Sequence, residues 1–331
     1  MKNKSKNITS KPWFTIFAAL IILCVISSFM MPAFLQLSNF RAILVAASTT
    51  AVMGVGLTFV IMTGGIDISI GGIVYLTAII YCVTMNEINN VLLAVVLAVG
   101  AASLAGILNG YLVHKFQMAP MITTLATLNI YKGIGLTISG GRNYAVPREA
   151  TFWGKGNVAG IPIPIIILVV MIIFGIYLFS KTRFGTYARA VGNSAASAEE
   201  SHLPVRNTLM TAYLLAGFTA GVAGLIYVSR TGGLQGDLGN GIEFTVIAAV
   251  VLGGTKLVGG AGTIPGTIMG AVFLVIIDNV LTMLGANPYV FEAVRGTILL
   301  FAVTADRAAF VRQFKAVRRE KFERIREGAK L

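Results

Sequence analysis

The chain predicts an all-α polytopic integral membrane protein of about ten transmembrane helices, with both termini in the cytoplasm. Three observations carry this. Hydrophobic residues make up 56% of the 331 positions and charged residues only 12%, where a soluble domain carries about 25% charge. Mean hydropathy is +0.82. Apolar runs near 20 residues, the length of a bilayer crossing, recur along the whole chain. A soluble α/β enzyme of this size would need charged amphipathic helices between its apolar strands, and none is found. The net charge of +13 has no aromatic-interleaved basic groove beside it, which removes nucleic acid as a partner. Cys24 and Cys82 lie inside apolar runs without metal-ligand or CxxC spacing, so neither a disulfide framework nor a zinc site is expected.

The elements follow in order. Residues 1–12 form a cytoplasmic tail with Lys2, Lys4, Lys6 and Lys11. The first crossing, 13–31, resembles a signal peptide but is long and lacks an obvious small-x-small cleavage site, so it reads as a retained anchor. Further crossings are drawn at 43–62, 66–85, 91–113, 119–139, 161–180, 208–229, 243–261, 262–284 and 289–305. The second and third join tightly, as do the eighth and ninth, so either pair can be a broken or re-entrant helix. The membrane domain spans 13–306, and 307–331 is a basic tail that is either solvated or laid on anionic lipid. With the N-terminus inside, 19 lysines and arginines fall on the cytoplasmic side and 5 outside, Arg230 among the latter. Lys132 and Arg295 lie within crossings. This bias places the 140–160 loop outside.

One stretch stands out. Residues 61–76 read IMTGGIDISIGGIVYL, with Gly64, Gly65, Gly71 and Gly72 around Asp67 and Ser69. Glycine bends the backbone and admits a neighbouring helix closely. Asp67 can take orphan amide hydrogens at a helix start, helped by Ser69, or it can be a direct ligand for substrate or ion. Without a partner, a charge at mid-membrane costs about 2.5–3.5 kcal/mol on insertion scales. About 190 positions later Gly253-Gly254 and Gly259-Gly260 sit between apolar runs in the same way. Interrupted segments at matching places in two halves point to a transporter's central path.

The longest internal cytoplasmic loop, 181–207, is punctuated by Gly185, Gly192 and Asn193 and holds an alanine-rich, potentially helical piece at 194–200. Small apolar content of this kind suits a surface-docking helix. Chemistry is otherwise sparse. His114 and His202 are far apart in sequence, and GGTKL at 253–257 lacks the Gly-x4-Gly-Lys-Ser/Thr spacing of a phosphate loop. No catalytic residue, cofactor or metal is expected, and the chain alone should not hydrolyse ATP.

At these residues a resemblance becomes specific. TGGIDISIGG resembles the glycine-aspartate signature of the permease subunits of ribose- and galactose-type ABC importers. TRFGTYARAVGNSAASAEESHLPV is similar to their cytoplasmic loop, and GIEFTVIAAVVLGGTKLVGGAGTIPGTIMGA resembles a third diagnostic block that includes Glu243. Together the three blocks lie within a resemblance from about 37 to 306. The resemblance implies a monosaccharide or polyol permease of the bacterial inner membrane. It would work with a second permease copy or paralogue, an ATP-binding subunit and an extracytoplasmic sugar-binding protein. It implies a translocation path or helix break at Gly64, Gly65, Asp67, Ser69, Gly71, Gly72, Glu243, Gly253 and Gly254. ATPase docking would fall on Gly185, Gly192, Asn193, Ala195, Ala196, Glu199, Glu200, Ser201, His202 and Leu203. There are departures. Ser201-His202-Leu203 stands where a Ser-Gly-Ile-like step is usual, Asp278 where asparagine is usual, and Glu292 where an apolar residue is usual. Asp278, Glu292 and Arg295 form an outer polar cluster. Glu292 and Arg295, three apart, can pair on one helix face, and the cluster can be a structural ion pair or a vestibule lining. Two other readings stay open: a permease of the same architecture for branched-chain amino acids or nucleosides, and a self-sufficient secondary transporter or channel.

Overall fold

The computed structural model describes residues 12–287 and 289–304. The N-terminal lysines and the basic C-terminal run lie outside the described residues. Among the described residues, seven helices are long and apolar enough to cross a bilayer. They are α1 (Pro12–Met30), α2 (Leu37–Met62), α3 (Ile70–Glu87), α4 (Val91–Lys115), α7 (Ile163–Lys181), α10 (Val205–Thr231) and α12 (Ile264–Met283). Helix α5 (Pro120–Ser139) has the length but carries Thr123, Thr124, Asn129 and Lys132. Residues 289–304 form a further helix, α13.

Local signals explain the ends. Asn90 caps α4 by accepting the Leu93 amide at 3.0 Å, and Thr263 caps α12 by accepting the Gly266 amide at 3.1 Å. Pro120, Pro164 and Pro265 sit in first turns, where the missing N–H costs nothing. Gly140 and Gly232 close α5 and α10 with φ of 59° and 87°.

The core is built around α10, which packs between α2 and α4. Small residues let the backbones approach: a β-carbon at Gly217 would lie 2.9 Å from the Gly106 Cα, and one at Gly56 would lie 2.8 Å from the Ala216 Cα. Leu92, Val96 and Ile173 are exposed on the rim, where lipid rather than water would meet them. Helix α1 is peripheral and packs on α12, next to a small cluster of Phe34, Ile43, Ala47, Val275 and Ile276.

Four two-residue strands gather at one end of the bundle, hereafter the β end. β1 (Tyr144–Ala145) pairs antiparallel with β4 (Gly233–Leu234), and β2 (Asn157–Val158) with β3 (Ile161–Pro162). The short α6 (Phe152–Lys155) lies between β1 and β2. Tyr81 and Ser229 both donate to the Ala150 carbonyl, at 2.8 and 2.9 Å, which ties this loop to α3 and α10. At the opposite end lie α8 (Arg183–Asn193) and α9 (Ala195–Glu200).

One crossing is corrected. The eighth apolar run, 243–261, is not a continuous helix. Helix α11 (Ile242–Leu252) has 11 residues, about 16 Å against a hydrocarbon core of about 30 Å. The run is mostly apolar despite Glu243 and Lys256, so its hydropathy hides the stop. The backbone turns at Gly254, Gly259 and Gly260, with φ of 87°, 88° and 78°, before α12 begins at Ile264. Gly253 and Gly254 therefore follow a half-helix instead of lying within a crossing. The second and third helices are likewise separated by a non-helical break at 63–69.

Candidate functional site: a polar cavity above a half-helix

A cavity of about 540 Å³ lies at the β end between α2, α10, residues 237–242, α12 and α13. Its wall carries Thr49 and Thr50 from α2, Arg230 from α10, Asp237 and Asn240 from the loop, and Asp278, Asn279, Glu292 and Arg295 from the last two helices. The three residues of the outer polar cluster thus share one surface. Arg295 makes a two-pronged pair with Asp278, Nη2 to Oδ2 at 2.6 Å and Nε to Oδ1 at 3.2 Å. The expected Glu292–Arg295 pair on one helix is not the one formed; the bond crosses from α13 to α12 and fastens the two helices. Asn279 and Asn39 exchange amide hydrogen bonds at 2.9 and 3.2 Å, which fixes α12 to the start of α2. The Arg230 guanidinium lies 5.7 Å from the Tyr227 ring centroid and donates toward the Val45 carbonyl at 3.4 Å. The volume falls within the range of about 300–1,000 Å³ usual for small-molecule sites. A wall mixing hydroxyls, amides and both charge signs offers a hydroxyl-rich solute donors and acceptors on several sides.

The floor is the start of α11. Gly241, with φ of 73°, precedes the helix, and Ile242 and Thr245 face the cavity. Glu243, in the first turn, is only 6% exposed, at the helix end whose dipole favours an anion. Its carboxylate lies against Gly71 of α3. A β-carbon at Gly71 would overlap the Glu243 Oε2 and lie 2.5 Å from the Gly239 carbonyl oxygen. Glycine at 71 is therefore what lets the loop and the half-helix sit this deep. The Lys132 ammonium of α5 donates to the Asn240 side chain and holds the same loop. A half-helix start beneath a polar cavity is the arrangement of interrupted transporter helices.

Asp67 occupies a separate, closed node and is not in the cavity wall. It is fully buried. Its Oδ1 accepts the Ser69 amide at 2.9 Å and the Ser69 hydroxyl at 2.6 Å. Ser69 Oγ accepts from Asn109 Nδ2 at 2.7 Å, and Asn109 Oδ1 accepts from the Tyr131 hydroxyl at 2.9 Å. The Ile68 amide donates to Thr124 Oγ1 at 3.0 Å. The break is therefore held by side chains of α4 and α5. Asp67 takes the amide two residues on, in an Asx-turn pattern, while Ser69 occupies the cap position of α3 without a side-chain cap bond of its own. Asp67 Oδ2 and the Tyr213 hydroxyl are buried and make no hydrogen bond among the described residues.

At the far end, α8 packs inward through Gly185, Ala188 and Val191. Phe184 meets Phe59 of α2 with centroids 5.1 Å apart, and the Arg189 guanidinium lies 4.8 Å from the Phe179 ring centroid. Ser194 caps α9 by accepting the Ser197 amide at 3.1 Å. The expected helical piece at 194–200 is present as this cap plus α9. It closes where Leu203 N–H reaches the Ala198 carbonyl at 2.9 Å, with His202 at φ of 57°. Ala195, Ala196, Glu199, Glu200, Ser201 and His202 are exposed, Leu203 is half-buried and Ala198 is buried. Gly192 is half-buried and turns toward the bundle rather than outward.

Sequence reasoning missed Arg230, Asp237 and Asn240 of the cavity and Asn109, Tyr131 and Tyr213 near the break. Arg230 sits in the last turn of α10, so a charge count reads it as a loop residue. Lys132 did carry a signal, because an ammonium inside an apolar run needs a partner.

Residues 39–303 match the family described as "Branched-chain amino acid transport system / permease component". The chain is 34% identical over 293 residues to the ribose import permease protein of Escherichia coli (strain K12), covering 87% of this chain and 91% of the relative. It is 33% identical over 294 residues to the L-arabinose transport system permease protein of Escherichia coli (strain K12), covering 88% of each. It is 31% identical over 335 residues to the autoinducer 2 import system permease protein of Klebsiella pneumoniae subsp. pneumoniae, covering 100% of this chain and 96% of the relative. No solved structure matches.

Proposed function

The chain belongs to the branched-chain amino acid transport system permease family, and from that premise we propose that it is the permease of an ATP-binding-cassette importer for a monosaccharide or related polyol. It is a multi-pass protein of the bacterial inner membrane. The observation that carries the substrate class is the cavity of about 540 Å³ with hydroxyl, amide and charged groups on its wall. The relatives named for ribose and arabinose agree with it. The family description also names branched-chain amino acids, and the cavity has some aliphatic wall at Ile43, Met53, Ile242 and Val275, but Thr49, Asn240, Asp278 and Glu292 set polar groups among it.

In this reading both termini are cytoplasmic, the β end faces outward, and the ten apolar runs give nine full passages and one half-helix. An extracytoplasmic binding protein delivers sugar to the cavity at the β end. ATP-binding subunits, separate from this chain, dock on the exposed face of α9 and hydrolyse the nucleotide. A second permease subunit, a copy or a paralogue, completes the path. Nucleotide-driven closure moves α8 and α9. The floor formed by Glu243, Gly71 and residues 237–242 then yields, and the solute passes inward. The polar wall orients the solute by many weak bonds, and selection rests largely with the binding protein.

The test is ATP hydrolysis by the reconstituted complex in nanodiscs. A monosaccharide-loaded binding protein should stimulate it and a branched-chain amino acid-loaded one should not. Stimulation by the amino acid carrier alone contradicts the sugar assignment.

A further inference from the structure

Three segments distant in sequence meet at the end of the bundle that carries α8 and α9, and they meet backbone to backbone. They are the last turn of α2 with the start of the break (62–64), the C-terminal end of α8 (192–193), and the turn between α11 and α12 (258–260). The Gly260 amide donates to the Met62 carbonyl at 2.9 Å. A β-carbon at Gly192 would overlap that same carbonyl and lie 2.5 Å from the Gly260 nitrogen. One at Gly259 would lie 2.8 Å from the Gly192 carbonyl oxygen and 2.9 and 3.0 Å from the Gly64 nitrogen and Cα. One at Gly260 would overlap the Asn193 side-chain oxygen and lie 3.4 Å from the Asn193 nitrogen, so here a side chain fills the space beside the main-chain contacts. Gly64, Gly259 and Gly260 hold φ of 86°, 88° and 78°, a region that residues with a β-carbon rarely enter.

We propose that Gly64, Gly192, Gly259 and Gly260 form a junction that carries displacement of the docking helices to both helix breaks at once. The proposal rests on the docking reading of α8 and α9. Contacts through long side chains yield by rotamer change; contacts between main chains have no such slack, and packed interiors transmit strain. From the junction two paths lead to the cavity floor. One runs from Gly64 through the Asp67 node into α3, whose Gly71 bears on Glu243 and Gly239. The other runs from Gly259 back to Gly253, whose β-carbon position lies 2.5 Å from the Thr267 nitrogen, and up α11 to Glu243. A push at α8 therefore reaches both faces of the floor.

The experiment uses the full complex in nanodiscs, with ATPase subunits and binding protein, and reads two quantities. One is solute moved per ATP hydrolysed. The other is amide exchange in peptides covering 194–203, 62–69 and 253–261 with and without nucleotide. In the unaltered protein, ATPase binding should protect 194–203, and nucleotide should change exchange in 62–69 and 253–261 together. Gly259→Ala should keep protection of 194–203 but lose the nucleotide response of 62–69, with transport per ATP falling severalfold. Gly285→Ala separates contact from backbone strain, because Gly285 also has a left-handed φ, 68°, but faces open space. It should couple normally. Normal coupling and a normal 62–69 response in Gly259→Ala would overturn the junction. So would a nucleotide response at 194–203 of the unaltered protein with none at 62–69, a result that needs no variant to fold. Absence of any ATPase protection at 194–203 would instead overturn the docking reading, and the junction with it.

Discussion

Asp67 gives one carboxylate oxygen to two donors of Ser69, and Ser69 in turn ties in Asn109 and Tyr131. Asp67→Asn keeps an acceptor at that place, and Asp67→Leu removes it. The leucine variant leaves a buried amide and hydroxyl unmade, at about 1–3 kcal/mol for each unsatisfied group. Thermal unfolding in nanodiscs should therefore show Asp67→Leu clearly less stable and Asp67→Asn close to the parent. Equal melting of all three would remove the capping role. Transport lost in a stably assembled Asp67→Asn protein would show that the charge itself is used. At the cavity, Asp278→Asn and Arg295→Gln each break the pair at 2.6 Å that fastens α12 to α13. Because the pair is partly exposed, solvent screening keeps the loss modest. Both variants should lower uptake more than they lower the melting temperature, and a melting loss without an uptake loss would make the pair merely structural. At this scale the sequence was half legible. Asp67 and Ser69 are two residues apart, so their bond is a local pattern. Asn109 and Tyr131 come from two other helices and leave no local sign. The Glu292–Arg295 pair went the same way: spacing allows it, but the Asp278 carboxylate on the neighbouring helix meets the guanidinium in the geometry a fork prefers.

Helix α9 was readable as an element because small residues mark it and Pro204 cannot continue it without losing a backbone bond, whereas α8 was not: its glycines at 185 and 192 read as loop punctuation, yet they lie within a helix packed on the bundle. The exposed face offered by Ala195 and Ala196 is small, with Glu199 and Glu200 beside it. Ala196→Trp should overfill a partner groove, so that it blocks co-purification of the ATPase subunit or uncouples its hydrolysis from uptake. Glu199→Ala should weaken association in a salt-sensitive way, since rim charges act on encounter more than on packing. Full coupling in Ala196→Trp would shift docking to the loops near Lys115 or Lys256. Helix α11 shows the limit of reading elements by hydropathy. Residues 243–261 are apolar enough for a crossing, but left-handed Gly254 closes the helix just past Leu252, and left-handed Gly259 and Gly260 turn the segment that follows. Glycine is tolerated in membrane helices, so the pairs at 253–254 and 259–260 pointed to an interruption without fixing that the helix stops at Leu252. The same holds for the descent of 235–241 into the bundle, which depends on Gly71 and Gly239 fitting against each other.

For the whole molecule, the charge bias of 19 to 5 predicts that single cysteines, in a protein lacking Cys24 and Cys82, label from outside in the 140–160 loop and from inside near residue 196. External labelling at 196 would invert the account, because the cavity would then open to the cytoplasm. The polytopic all-α class was legible from the recurring apolar runs, while the eighth run proved to be a half-helix. The cavity was not legible, since its wall is drawn from segments up to about 250 positions apart and many of its residues are ordinary threonines, asparagines and aliphatic side chains. The central claim is that this chain supplies a path and no driving force. Uptake of labelled monosaccharide into proteoliposomes, by the purified chain alone under an ion gradient and by the complex with ATPase subunits, binding protein and ATP, tests it directly. The account predicts accumulation only in the second case; accumulation by the lone chain would contradict it.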